Sequence, residues 1–314
     1  MDIELRGIAA PGGWPADGCR CASCGRLRAA GVRHEPANVL LDGVPVDDLP
    51  FTEVPGGRDV TAPGGGRALM ASGPGAKPEP VPGVGYDAVL LDLAGSPEHL
   101  GHLRRAGAVT AGTRVIAVHV DHRMTSTAEL ERRMSFWLLP QDGPFRTLLL
   151  GGSRSGKSAE AELRLAGSPD VLYVATGPVR DDDPEWSARV EAHRHRRPAW
   201  WRTAETTDLA DVLASASGAV LVDGIGTWLA AAMDEAGAWD DPPRVLPALD
   251  ALVEAWRGTA ARVVAVSDEV GLSLVPATPS GRAFRDMLGL VNQRLAAESE
   301  EAALVVAGRV AELP

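Results

Sequence analysis

Gly151-Gly152-Ser153-Arg154-Ser155-Gly156-Lys157-Ser158 has the spacing G-x-x-x-x-G-K-[ST]. Residues of these types at this spacing handle phosphate. Glycines let the backbone turn tightly and bring its N–H groups close to phosphate oxygens. A helix that starts there adds the partial positive charge of its N-terminus. Lys157 can reach the β- and γ-phosphates of a nucleoside triphosphate, and the Ser158 hydroxyl can enter the shell of a Mg²⁺ ion. The chain has only two lysines, Lys77 and Lys157, and otherwise uses arginine. It therefore keeps a compact, flexible ammonium at the place where a phosphate cradle needs one.

Other residues could join this chemistry. Asp223 closes the apolar run Ala219-Val220-Leu221-Val222, where a carboxylate would hold Mg²⁺; the alternative is a turn aspartate before Gly224. Ser267-Asp268-Glu269 closes a similar run. The stretch Arg189-Val190-Glu191-Ala192-His193-Arg194-His195-Arg196-Arg197-Pro198 has two readings. It is a basic helix end before a proline, or an anion site with arginine forks and a histidine able to act as acid, base or nucleophile. Cys19, Cys21 and Cys24 place three soft ligands in six residues. Such spacing can hold zinc, with His34 as a fourth ligand, since a closed site wants four; the reading preferred is three unligated thiols near a turn. His119, Asp121 and His122 form a further polar cluster, read as a strand-to-helix turn rather than a metal site.

The elements that must position these residues follow from the hydrophobic pattern. Thr147 to Leu150 reads as a buried strand before the glycine loop, and Ala159 to Leu165 as the helix after it. Strand-like runs recur at Arg146–Leu150, Val171–Ala175, Ala219–Asp223, Arg262–Val266 and Ala302–Val306. Helical segments are expected over Pro184–His195, Thr227–Ala236, Pro243–Trp256 and Gly281–Glu298. Continuous apolar strands alternating with helices predict a mainly parallel sheet covered on both faces. Its ligands bind beyond the strand C-termini, which is where Asp223 and Asp268 stand. Earlier in the chain, strands are expected at Ala37–Leu41, Ala88–Leu93 and Arg114–His119, and helices at Pro97–Ala106 and near Ser126–Trp137, capped by Thr125 or Ser126. Residues 54–85 are about half Gly and Pro, so a flexible or disordered segment is expected.

Composition bounds the function. At 314 residues the chain suits two domains, 1–145 and 146–314. A net charge of −11 argues against nucleic-acid or anionic-membrane binding. No run of about 18 apolar residues predicts a membrane span. The start of the chain lacks a basic segment followed by an apolar one, so no secretion signal is read and the cytoplasm is the expected location. Three tightly clustered cysteines are no disulfide framework.

Residues 146–314 closely resemble the bifunctional adenosylcobinamide kinases/adenosylcobinamide-phosphate guanylyltransferases of cobalamin biosynthesis. The matching runs occur in order. They are the glycine loop, Tyr173-Val174-Ala175-Thr176, Arg189-Val190 with His193 and Arg197-Pro198, and Trp201-Arg202-Thr203 with Glu205. Asp223 with Trp228-Leu229, Asp268-Glu269-Val270-Gly271 with Val275-Pro276, Phe284-Arg285-Asp286, and Val291-Asn292-Gln293-Arg294-Leu295-Ala296 complete the set. The resemblance implies a P-loop NTPase-like α/β fold and two reactions. The hydroxyl of adenosylcobinamide takes the γ-phosphoryl group of ATP or GTP. GMP from GTP then passes to the new phosphate through a guanylylated histidine, giving adenosylcobinamide-GDP and pyrophosphate. It makes His193 the nucleophile, places Gly151 to Ser158 and Asp223 on the triphosphate and Mg²⁺, and offers Glu205 to the base or ribose. Arg189, one helical turn before His193, and Arg197 would neutralise phosphate charge. It also implies a homo-oligomer. Three places, five residues in all, depart from the pattern: Asp268 where asparagine is usual, Gly224-Ile225-Gly226 where Cys-Leu-Thr is frequent, and Ala231 where asparagine stands.

Residues 1–145 resemble, more distantly, the phosphodiesterase-like branch of the metallo-β-lactamase superfamily. The points of likeness are Gly18 to Cys24 and the strand ending in His119-Val120-Asp121-His122, with Thr125 to Arg133 after it. In one alignment Ala117 replaces the first histidine of that family's H-x-H-x-D-H motif; in the other His119 is its final lone histidine and the motif is missing. Either way the ligand set is incomplete, so this smaller, loop-rich α/β part is expected to be a degenerate relative without hydrolase activity. Two further readings of the whole chain are a P-loop kinase of another small alcohol without guanylyl transfer, and a nucleotide-sensing scaffold.

Overall fold

The N-terminal stretch builds two small sheets. β1 (Ile3–Gly7), β2 (Asn38–Leu41) and β3 (Val44–Pro45) form a three-stranded antiparallel sheet, with helix α1 (Ala22–Ala29) between the first two strands. β4 (Phe51–Val54), β5 (Gly57–Thr61), β6 (Arg67–Ala71), β7 (Ala88–Leu91) and β8 (Arg114–Ala117) follow in spatial order. The pairs β4–β5 and β5–β6 are antiparallel, whereas β6–β7 and β7–β8 are parallel. α2 (Glu98–Arg105) makes the crossover from β7 to β8, and α3 (Thr127–Trp137) comes after β8. Ser126 caps α3, its hydroxyl accepting from Glu129 N at 3.1 Å. Val39, Leu41, Val60, Ala68, Ala88, Leu90 and Val118 share one buried core.

Residues 54–85 were expected to be flexible, and here the structure corrects the sequence reading: the segment carries β5 and β6. Glycine is used for close backbone approach rather than for disorder. A Cβ on Gly57 would lie 2.1 Å from Met70 O, and one on Gly56, whose φ is +76°, 2.4 Å from Lys77 O. The part after β6 has no regular element but is tied down. Gly75 N donates to Asp92 at 2.6 Å, the His99 ring lies 2.9 Å from Pro78 O, and Val81 N donates to the Tyr86 hydroxyl at 3.1 Å.

The computed structural model describes residues 1–140, 143–177 and 197–314. Two compact units emerge: Met1–Leu139 with Ala166–Pro169, and Pro140–Leu165 with Asp170–Pro314. Ala166–Pro169 goes with the first unit because Arg104 donates to Gly167 O at 2.6 Å and Gly101 packs against the backbone of Ala166 and Ser168.

In the second unit β9 (Phe145–Gly151) leads into α4 (Lys157–Leu165). Then come β10 (Val171–Ala175), β11 (Arg202–Glu205), α5 (Leu209–Ser215), β12 (Ala219–Asp223), α6 (Ile225–Ala236), α7 (Leu246–Gly258) and β13 (Arg262–Asp268). α8 (Pro279–Ala297), β14 (Glu301–Val306) and β15 (Arg309–Leu313) complete it. Among the described residues the sheet has seven strands in the order β11-β10-β12-β13-β9-β14-β15, all parallel except the last. Alternate residues feed different cores, as a pleated strand requires. Leu148, Leu150, Val220, Val222, Val263 and Ala265 pack with α5, α6, α7 and α8. Leu149, Leu221, Val264 and Val266 pack with Ala161 and Leu165 of α4. Helices thus cover both faces of this parallel sheet, as the apolar runs predict. The helix expected over 184–195 lies outside the described residues.

Candidate active site

Register brings the chemistry-bearing residues to one end of the seven-stranded sheet. Asp268 of β13 is opposite Gly151 of β9, Asp223 of β12 opposite Val266, and Ala175 of β10 opposite Asp223. Gly151, Ala175, Asp223 and Asp268 close the C-terminal ends of their strands, where an open parallel sheet binds its ligands. Glu205, at the end of β11, is opposite Ala175; Glu205 therefore stands two strands from Asp223.

Two glycines of the loop between β9 and α4, Gly151 and Gly156, meet backbone or side-chain atoms that a Cβ would crowd. A Cβ on Gly151 would lie 2.6 Å from both Ser155 Oγ and Val305 O. Gly156 has φ +100° and approaches Gly308 Cα, a conformation that glycine adopts without strain. Gly308 N donates to Ser155 O at 2.7 Å and Ser155 N to Gly152 O at 3.2 Å, closing the loop on itself. Gly152, Ser153 and Arg154 complete it. The helix then starts at Lys157, so its positive end faces the loop.

Lys157 Nζ lies 2.8 Å from Asp268 Oδ1 and 3.1 Å from Gly152 O. Ser158 Oγ lies 3.5 Å from Asp223 Oδ1. A hydroxyl and a carboxylate at this separation are hard oxygen donors of the kind that Mg²⁺ takes alongside nucleotide phosphates and waters. The other oxygen of Asp223 accepts the Tyr173 hydroxyl at 2.7 Å. Burial and the charge of Asp223 push the Tyr173 phenol well above its usual range, so it stays a donor. The Arg197 guanidinium sits 3.6 Å from the centre of the Tyr173 ring. Behind Asp223, the buried Thr176 hydroxyl donates to Gly224 O at 2.5 Å and accepts from Gly224 N at 3.1 Å.

Three residues of α8 and the turn after β13 brace the site. Asn292, 4% exposed, accepts from Ser267 Oγ at 2.6 Å and donates to Asp268 O at 3.1 Å. Glu269 N donates to Gly151 O at 3.1 Å, and Arg285 donates to Gly271 O at 2.7 Å. The structure therefore brings together Gly151 to Ser158, Asp223, Arg197 and Asp268. Arg189 and His193 lie outside the described residues. Sequence reasoning quoted Tyr173, Asn292 and Arg285 as pattern matches without giving them a task. A buried asparagine inside an otherwise apolar helix face was the signal for Asn292.

In the first unit the cysteines find a partner that the sequence did not pair with them. One ligand atom each from Cys19, Cys24 and His122 lies within 4.8 Å of the others. His34, offered as the fourth ligand, is not in this group; it stacks on Trp14 at 5.1 Å. Cys21 caps α1, its Sγ accepting from Cys24 N at 3.4 Å, and this backbone hydrogen bond lowers its thiol pKa. Burial pushes the Cys24 thiol up to about 11. His119 and Asp121 do not join His122. His119 is buried with its ring 3.1 Å from Ala71 O, and Asp121 accepts from Arg123, which also pairs with the buried Asp92 at 2.8 Å.

The family model described as cobinamide kinase / cobinamide phosphate guanyltransferase matches residues 147–313. The bifunctional adenosylcobalamin biosynthesis protein CobU of Salmonella typhimurium is 39% identical over 174 residues, 51% of this chain and 95% of that protein. Its Escherichia coli counterpart is 38% identical over the same length and shares. The bifunctional adenosylcobalamin biosynthesis protein CobP of Pseudomonas aeruginosa is 39% identical over 169 residues, 52% of this chain and 94% of that protein.

Proposed function

The chain belongs to the cobinamide kinase / cobinamide phosphate guanyltransferase family, and from that premise we propose how its residues divide the two reactions. In the kinase step the adenosylcobinamide hydroxyl attacks the γ-phosphorus of ATP or GTP. A new O–P bond forms, the nucleoside diphosphate leaves, and the hydroxyl proton passes to solvent. The loop from Gly151 to Ser158 cradles the triphosphate with its N–H groups, and Lys157 follows the charge that develops on the β/γ bridge. Ser158 and Asp223 would hold Mg²⁺, which supplies charge neutralisation on the phosphates when bound.

In the second step a neutral imidazole nitrogen of His193 attacks the α-phosphorus of GTP and pyrophosphate leaves. The phosphate oxygen of adenosylcobinamide phosphate then attacks that phosphorus, the P–N bond breaks, and adenosylcobinamide-GDP is released with the histidine restored. Arg189 and Arg197 offer planar forks to the phosphates, and Glu205 is the candidate contact for base or ribose. The observation that carries this reading is the convergence of Lys157, Ser158 and Asp223 at the strand ends beside a glycine loop. We place the enzyme in the cytoplasm as a homo-oligomer; among the described residues no helix is long and apolar enough to cross a membrane. GTP labelled at the α-phosphate tests the second step. Label should stay on the denatured chain, be lost in acid, survive alkali, and vanish in His193→Ala. Absence of label while γ-labelled nucleotide still phosphorylates cobinamide would leave a kinase alone.

A second reading concerns the first unit. The meeting of Cys19, Cys24 and His122 favours a zinc ion held by two or three thiolates and an imidazole, with Cys21 as the adjacent donor. With His119 and Asp121 engaged elsewhere, the site is structural rather than hydrolytic.

A further inference from the structure

Tyr173 is 6% exposed, and its ring belongs to the core under one face of the seven-stranded sheet, with Leu149, Leu165, Leu221 and Val266. Nothing about filling that core requires a hydroxyl. Register puts Tyr173 opposite Leu221 and Ala175 opposite Asp223, so Asp223 is the diagonal neighbour, two residues further along the adjacent strand. Side chains lean along the strand, and a phenol is long enough to span the diagonal. Its hydroxyl donates to Asp223 Oδ2 at 2.7 Å, while Asp223 Oδ1 faces Ser158 Oγ at 3.5 Å.

An aspartate carboxylate rotates broadly about its last bond. A donor fixed on one oxygen decides where the other points. The same ring carries the Arg197 guanidinium on its face, 3.6 Å from the centroid, a contact that orients a cation without using its N–H groups. One buried side chain thus touches both the Asp223 carboxylate and the Arg197 guanidinium.

We propose that Tyr173 is a positioning residue of the nucleotide site: its hydroxyl sets the rotation of the Asp223 carboxylate toward a divalent cation, and its ring seats Arg197 against the triphosphate. The proposal rests on the reading above that Ser158 and Asp223 hold the cation. Partners that orient a ligating carboxylate typically matter 10–100-fold in metal affinity.

Mn²⁺ serves as the probe. Its binding to the full chain with the β,γ-imido analogue of GTP is followed by the electron paramagnetic resonance of the free ion. Tyr173→Phe keeps the ring and removes only the hydroxyl. Mn²⁺ affinity should fall about 10-fold, and binding of the analogue in EDTA should not change. Tyr173→Leu should also weaken the analogue in EDTA, because the seat of Arg197 is gone. If Asp223→Asn weakens Mn²⁺ and Tyr173→Phe does not, the proposal is overturned and the cation site stands. If Asp223→Asn leaves Mn²⁺ affinity unchanged, the cation site falls and this proposal with it. A Tyr173→Phe chain that loses only thermal stability marks a core residue and likewise overturns the assignment.

Discussion

The ammonium of Lys157, the first residue of α4, is paired at 2.8 Å with the carboxylate of Asp268, the last residue of β13. The lysine proposed to serve the phosphates therefore has an anionic partner, at one of the positions where the sequence departs from the pattern it resembles.

That partner should cost nucleotide affinity. The Asp268 side chain is 46% exposed, so its field is partly screened, but it competes for Lys157 and repels the triphosphate. Two charges about 4 Å apart near a surface interact by a few kcal/mol at most, and exposed pairs by about 1 kcal/mol net. Asp268→Asn should then tighten binding of the β,γ-imido analogue of GTP by about 3- to 10-fold in calorimetry. The gain should shrink as salt is raised. Weaker binding in Asp268→Asn would mean that the carboxylate holds the lysine in its working posture instead of competing for it.

Much of the phosphate end was legible because it is local. The glycine loop lies within eight consecutive residues, and strands buried on both faces announce themselves as unbroken apolar runs; Val171–Ala175 and Ala219–Asp223 have the bounds the sequence predicts. What was missed depends on contacts between distant positions. Asn292 reaches Ser267 across 25 residues, Tyr173 reaches Asp223 across 50, and Cys19 lies near His122 across 103. Residues 54–85 misled for another reason. Glycine there marks where strands approach too closely for a Cβ, at Gly57 against Met70 O, and composition alone cannot separate that use from disorder.

The cysteine cluster makes a prediction about metal. The full chain purified without chelator should carry close to one zinc ion by elemental analysis, and Cys24→Ser or His122→Ala should carry almost none. His119→Gln should keep its zinc, because His119 faces Ala71 O and not the cysteines. Extraction of the ion should lower the melting temperature, since a structural zinc contributes directly to folding. Parent-level zinc in His122→Ala would sink the assignment of His122 as a ligand, and a parent chain without zinc would return the three thiols to a turn.

Acid stability should depend on the strand that feeds the phosphate loop. At the start of β9, Arg146 N donates to Glu300 Oε2 at 2.5 Å and Arg146 Nε donates to the same oxygen at 3.0 Å, while Nη2 meets Oε1. The Arg146 hydrogen bonds hold the Glu300 carboxyl below the usual glutamate range. A carboxyl whose pKa is depressed by folding stabilises the native state fully above its unfolded value, about 4.3. That contribution is lost as pH falls through the lower, folded value. Glu300→Gln should therefore melt below the parent chain at neutral pH, and the gap should close as pH is taken from about 5 to below 4. Arg146→Gln should lose the side-chain share of that pH-dependent part and keep the share of the backbone N–H of residue 146, which still donates to Glu300, so the double variant should add little to Glu300→Gln. A melting-temperature gap that stays constant over that range would show that Glu300 acts on β9 through shape and not through its charge.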